Sequence, residues 1–109
     1  MAVSNVLVRD FGGPAQFGAV YQAILGARAT LDPASVAAGA TGFDRVTIPG
    51  VLPGDMVIGL SLDAPAGGMT VQALVAAVNQ VEVRYNNLTA GAVDLPSTTL
   101  RIIIGRTPL

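Results

Sequence analysis

The sequence predicts an all-β fold, built as an antiparallel β-sandwich or a jelly-roll-like barrel with an extended N-terminal arm. Apolar and polar side chains alternate in residues 81–86 and 98–106, which is the period of a strand with one buried face. Pro-Gly pairs at 49–50 and 53–54 mark turns between two further alternating segments. A parallel α/β sheet is disfavoured, because the sequence lacks the regularly placed amphipathic helices that it requires.

The first 26 residues differ from the rest and are predicted to form the arm, with residues 27–109 as the sandwich domain. An apolar stretch, "VSNVLV", is interrupted by "FGGP" and followed by a segment containing aromatic residues. Such an arm is expected to dock on its own core, on a neighbouring subunit or on a larger assembly. Its large apolar side chains are candidate interface residues: Val6, Val8, Phe11, Phe17 and Tyr21.

The first strand of the domain is predicted over residues 27–31. The turn "DPAS" and a segment of small residues up to Gly42 follow it. A second strand is predicted where Val46 and Ile48 alternate with polar residues.

The stretch "PGVLPGD" separates this strand from the next one. Proline fixes φ and glycine accepts positive φ, so the chain is expected to reverse or to cross between sheets here. The aspartate at its end is expected to accept hydrogen bonds from nearby backbone amides. The predicted structural turn residues are Pro49, Gly50, Pro53, Gly54 and Asp55.

After the turn, residues 56–62 alternate so that Met56, Ile58, Leu60 and Leu62 share one face. In "VEVRYN", Val81, Val83 and Tyr85 are predicted to point inward. The last strand repeats this pattern with three inward residues, and Ile103 on its other face indicates that this side is also partly covered. The inward residues of the last strand are Leu100, Ile102 and Ile104.

Two segments, residues 17–26 and 70–80, have apolar side chains at helical spacing. The second segment is rich in valine and continues without a break into the strand at residue 81, which leaves no room for a helix stop. It is therefore predicted to be strand or irregular, whereas the first segment stays open between helix and strand.

The composition excludes several kinds of chemistry. The chain has no cysteine and no histidine, and all six of its cationic residues are arginines. Thiolate, imidazole and lysine nucleophiles and Cys/His zinc sites are therefore excluded. The aspartates stand at predicted turns and strand ends, where local hydrogen bonding explains them. We expect no enzymatic activity, no catalytic residue, no metal and no cofactor.

The net charge and the share of charged residues indicate which kinds of partner the protein can bind. A net charge of −1 gives no footprint for a nucleic-acid backbone, and we expect neither nucleic acid nor membrane as a partner. The start of the chain lacks the pattern of a secretion signal, so synthesis in a cytoplasm is expected. Only 12% of the residues are charged, against roughly 25% in ordinary soluble domains. Either a composition rich in small residues or a surface covered by other subunits accounts for this value.

Residues 32–106 resemble small β-sandwich virion structural proteins of tailed bacteriophages. The resemblance rests on "VTIPGVLPGD", which joins two strands in those families, and on "VRYNNLTAGAVDLPSTTLRIII", which forms their last hairpin. It covers about two thirds of the chain. The matching positions are Pro49, Gly50, Gly54, Asp55, Arg84, Asn87, Thr89, Asp94 and Leu100.

The resemblance implies a head decoration or cement protein, which binds the capsid exterior as an oligomer and stabilises the shell. Its implied partners are further copies of itself, as a homotrimer, and the major capsid protein. The alternative is a head-fibre or tail-fibre tip module that binds host surface glycan, for which polar loops such as "NNLTAGA" are available. The implied location is the virion in both cases.

Overall fold

Seven β-strands form two antiparallel sheets in the computed structural model, which describes residues 3–10 and 21–108. No helix occurs among those residues. In chain order the strands are β1 (Val3–Asp10), β2 (Ala23–Leu31), β3 (Thr41–Thr47), β4 (Met56–Leu62), β5 (Thr70–Ala77), β6 (Gln80–Asn86) and β7 (Thr98–Arg106).

The sheets have four and three strands. The order is β1-β2-β7-β4 in the first and β3-β6-β5 in the second. All of these pairings are antiparallel, and the inner faces of the two sheets enclose one apolar core. The prediction of an all-β antiparallel sandwich is confirmed.

The alternation predicted for the last two strands is also confirmed. Val83 and Tyr85 of β6 are buried in the core, as are Leu100 and Ile102 of β7. Complete burial of a side chain such as Leu100 contributes about 1.5–3 kcal/mol to stability. Ile103 points away from the core and is exposed.

Within the segment at 70–80, predicted to be strand or irregular, residues 70–77 form the strand β5. Val71 and Val75 pack on the core, and the chain then reverses into β6 through Val78 and Asn79. Asn79 has a φ of 61°, a left-handed conformation that asparagine tolerates better than most residues. A tight hairpin joins β5 to β6, so the chain passes from one strand to the next without the stop signal that a helix would require.

The described part of the predicted arm belongs to the four-stranded sheet. Residues 3–10 form β1 and pair with β2, which begins at Ala23. The boundary predicted at residue 26 therefore falls inside β2 and is corrected. Val3 and Val8 pack on the protein's own core, and this packing holds β1 against the rest of the sandwich. The sequence left residues 17–26 open between helix and strand. Residues 23–26 are strand, and residues 17–20 lie outside the described residues.

The alternation expected in β4 is wrong for the first half of the strand. The register against β7 shifts between Val57 and Gly59, as it does at a β-bulge. The extra residue moves the following side chains to the opposite face. Met56 and Ile58 are consequently exposed, whereas Val57 packs on the core with Leu60 and Leu62.

Candidate interaction surfaces

The Pro-Gly turn (residues 48–55) takes the chain from the three-stranded to the four-stranded sheet. Of the two predicted possibilities, a reversal or a crossing between sheets, the structure shows the crossing. Gly50 and Gly54 have φ values of 98° and 93°, where an L-residue would be strained. The backbone amide of Leu52 donates to the Asp55 carboxylate at 2.9 Å, and the amide of Asp55 donates to the Leu52 carbonyl at 3.0 Å. The local role predicted for Asp55 is confirmed.

Arg106 at the end of β7 holds the Pro-Gly turn in place. Its guanidinium donates to both carboxylate oxygens of Asp55 at 2.9 Å and to the Gly50 carbonyl at 2.9 Å. The Asp55 side chain is only 3% exposed. Burial raises the pKa of Asp55, but the hydrogen bonds from Arg106 and Leu52 outweigh it and hold the pKa below its ordinary value. The hydrogen bonds that Arg106 donates to Asp55 raise the pKa of Arg106.

Asn79 connects the β5–β6 hairpin to the same turn. Its side-chain oxygen accepts from the Gly50 amide at 3.0 Å, and its backbone amide donates to the Val51 carbonyl at 2.8 Å. Its carbonyl accepts from Ile48 at 2.8 Å. The Pro-Gly turn is therefore fixed by both sheets.

The loop end of the sandwich consists of residues 32–40, 63–69 and 87–97. Asn87 organises it from a fully buried position. Its side-chain amide donates to the carbonyls of Val36 and Gly91 at 2.9 Å, and its oxygen accepts from the backbone amide and the hydroxyl of Thr89. The neighbouring Leu88 is 77% exposed on this fixed loop. Asn87 and Thr89 were singled out only through the family resemblance, since asparagine and threonine are common in loops of many kinds.

A cavity of about 410 Å³ opens at the loop end beside β3. Asp44 and Tyr85 line it, and the Tyr85 hydroxyl donates to the Asp44 carboxylate at 2.9 Å. Burial, together with the nearby Asp44 charge, raises the pKa of Tyr85, so the hydroxyl keeps its proton. Phe43 also lines the cavity and is 61% exposed. The aromatic ring and the carboxylate together form a site with apolar and hydrogen-bonding parts.

The outer face of the four-stranded sheet is unusually apolar. Four large apolar side chains on it are 44–51% exposed, and they come from β1, β4 and β7: Leu7, Met56, Ile58 and Ile103. In most antiparallel sandwiches the outer face is polar and solvated. Exposed apolar side chains grouped on one sheet face are typical of an interaction surface.

The outer face of the three-stranded sheet carries a cluster of ion pairs beside two exposed apolar side chains, Phe43 and Leu74. Glu82 lies between Arg45 on β3 and Arg84 on its own strand and pairs with both. The two arginines cover the carboxylate, which explains why Glu82 is buried although it points outward. This arrangement stabilises the sheet.

The candidate interface residues of the N-terminal segment have different surroundings. Val6 is exposed near an irregularity of β1, whereas Val8 packs on the core. The ring of Tyr21 lies over Gly105, where an added Cβ would come within 2.8 Å of it. Phe11 and Phe17 lie outside the described residues.

The acidic residues are spread over the molecule. Among residues 3–10 and 21–108, no group of three or more acidic side chains could hold a metal ion. That part of the chain also contains no helix long and apolar enough to span a membrane. Comparison with protein-family models, curated proteins and solved structures finds no match for the chain.

Proposed function

We propose that this protein is a structural component of a bacteriophage virion, a decoration or cement protein that binds the capsid exterior as a homotrimer. In this role it contacts the major capsid protein, is synthesised in the host cytoplasm and stabilises the shell without catalysing a reaction. The assignment to a virion rests on the resemblance of residues 32–106, and the assembly role rests on the surface described above.

The exposed apolar side chains on the outer face of the four-stranded sheet carry the proposal. Leu7, Ile58 and Ile103 would expose apolar area to water in a monomer, at a free-energy cost of roughly 25 cal/mol per Å². Contact with another protein removes that cost. The low share of charged residues is consistent with a surface that is covered in an assembly.

The use of the acidic side chains supports a structural role as well. Asp44 is bound by Tyr85, Asp55 by Arg106 and Asp63 by Arg101. These contacts hold strands and turns together. The protein would strengthen a shell by bridging its subunits, and symmetric repetition of modest contacts would supply the avidity.

The test has two stages. Light scattering of the purified protein is expected to give the mass of a trimer. Phage particles lacking the protein should then bind it saturably and withstand higher temperature before they release DNA. Ile103→Arg should weaken particle binding, whereas Leu52→Arg, at an exposed apolar position in the Pro-Gly turn, serves as the matched control. Particles with unchanged heat tolerance after binding would contradict the cement role.

The second candidate is a fibre-tip module that binds a host surface glycan. The specific observation in its favour is Phe43, an exposed ring beside the cavity that contains Asp44. Aromatic rings stack on sugar rings, and carboxylates accept hydrogen bonds from hydroxyl groups. Saturable binding to host polysaccharide that is lost in Phe43→Ala and retained in Ile103→Ala would favour this function over the first.

A further inference from the structure

The outer face of the four-stranded sheet contains a groove of about 280 Å³. Gly26 lies between Arg9 and Ile103 in the strand register, and in the adjacent row Arg28 lies between Leu7 and Arg101. Leu7 and Ile103 provide apolar walls, and the glycine has no side chain to fill the space between them. Three of the six arginines of the chain therefore line one apolar groove.

The charges of this groove are not balanced within the described residues. Arg28 and Arg101 are directly opposite each other on neighbouring strands, an arrangement of like charges that destabilises a sheet. Arg101 pairs with Asp63, but Arg9 and Arg28 have no ion-pair partner in residues 3–10 and 21–108. An occupant that carries carboxylates would relieve this repulsion.

The loop end has the complementary features. Its three loops contain one aspartate each, Asp32, Asp63 and Asp94, and no arginine or lysine. Asp63 is already paired with Arg101, so Asp32 and Asp94 are the carboxylates of the loop end that can serve a second copy. Leu88 projects from it and is the most exposed large apolar side chain among the described residues. Because Asn87 fixes the loop through four side-chain hydrogen bonds, little conformational entropy would be lost on docking.

These features also decide how two copies can associate. Pairing of two identical grooves would bring arginines against arginines, so a two-fold contact through this face is disfavoured. Contact between the groove of one copy and the loop end of the next brings opposite charges together. A contact of this heterologous kind generates a closed ring when the rotation between copies is suitable.

We infer that the homotrimer forms by insertion of the Leu88 loop of each copy into the arginine-lined groove around Gly26 of the next copy. The inference rests on the proposed function for the number of copies and adds the two surfaces that join them. Asp94, on the same loop as Leu88, faces Arg9 and Arg28 in this arrangement, and Leu88 packs between Leu7 and Ile103.

Two variants that each damage one surface test the inference. Leu88→Lys places a cation opposite the arginines, and Arg28→Glu places a carboxylate opposite the aspartates. Each variant alone is expected to be monomeric by light scattering under conditions where the wild type is trimeric. Leu52→Lys, a cation at an exposed apolar position in the Pro-Gly turn, is the matched control and should remain trimeric.

Mixing the two variants gives the decisive measurement. The intact loop of Arg28→Glu can enter the intact groove of Leu88→Lys, and at the other contact the new lysine faces the new glutamate. An equimolar mixture should therefore form species larger than the monomer that contain both variants, which also shows that both variants are folded. A mixture that stays monomeric, or variants that stay trimeric, would overturn the inference while leaving the proposed function intact. A monomeric wild type would instead contradict the trimer of the proposed function.

Discussion

The two ends of the sandwich are closed by different chemistry. At one end, an ion pair between Asp55 and Arg106 holds the Pro-Gly turn against the last strand. At the other end, the neutral and fully buried Asn87 joins two loop segments, 32–40 and 87–97, through hydrogen bonds. An asparagine takes part at both ends, but Asn79 acts partly through its backbone, whereas Asn87 acts mainly through its side chain. We therefore expect acid to weaken the first end and to leave the second unaffected.

The largest effect on stability is expected for Asn87→Ala. The substitution removes four side-chain hydrogen bonds, each of which contributes about 0.5–1.5 kcal/mol, and leaves the amide of Thr89 without its partner, whereas the Val36 carbonyl keeps its bond from the Val93 amide. We expect a loss of about 3 kcal/mol or more in the free energy of unfolding, measured with urea. Asn86→Ala is the matched control, because the Asn86 side chain only accepts a hydrogen bond from the exposed Thr41 hydroxyl. Equal losses in the two variants would contradict the role given to Asn87.

Asp55→Asn is expected to have the next largest effect. The amide cannot accept both hydrogen bonds from Arg106, and it loses the charge attraction in a position where the side chain is nearly buried. We expect a loss of about 1–3 kcal/mol in the free energy of unfolding at neutral pH. Asp63→Asn provides the comparison, since the side chains of Asp63 and Arg101 are both about half exposed and such pairs contribute about 0–1 kcal/mol.

The same variant allows the effect of pH on the first end to be measured. Because the pKa of Asp55 is lower in the folded protein than in the unfolded chain, its contribution is present above the unfolded value of about 3.9. The contribution is lost as the pH falls through the folded pKa. The stability difference between wild type and Asp55→Asn should therefore be constant from about pH 5 to 8 and shrink below about pH 4.

Asn87→Ala is the control for this pH series, since asparagine does not ionise in the range. Its stability difference from the wild type should stay flat where that of Asp55→Asn falls. A stability difference between wild type and Asp55→Asn that stays constant down to pH 2 would show that the charge of Asp55 contributes nothing to stability.

The two ends also differ in how far the sequence could predict them. The Pro-Gly turn was predicted with its residues because proline and glycine restrict the backbone locally. Its partner Arg106 was missed, since 51 residues separate it from Asp55 and no local pattern joins them. The bulge in β4 was missed for a related reason: the alternation of apolar residues continues through it, and only the pairing with β7 decides which face each residue takes.

The exposed surfaces were predicted only in part. Ile103 on the outer face of the last strand indicated a partly covered sheet, but the alternation placed Met56 and Ile58 on the same face as Leu60 and Leu62. The groove around Gly26 depends on the register of three strands, which brings Leu7, Arg28 and Arg101 into one row. Strand register depends on long-range pairing and was not available from residue spacing alone.

The smallest effect on stability is expected for Leu88→Ala, and this variant separates folding from assembly. The side chain is 77% exposed, so its removal exposes little buried area and should change the free energy of unfolding by less than about 0.5 kcal/mol. Leu52→Ala removes an exposed leucine from the Pro-Gly turn and should be equally neutral. If Leu88 serves assembly, Leu88→Ala alone should lower the concentration-dependent mass in sedimentation experiments, while both variants unfold like the wild type as dilute monomers. A loss of monomer stability in Leu88→Ala would instead place the side chain in the protein's own packing and remove it from the contact surface.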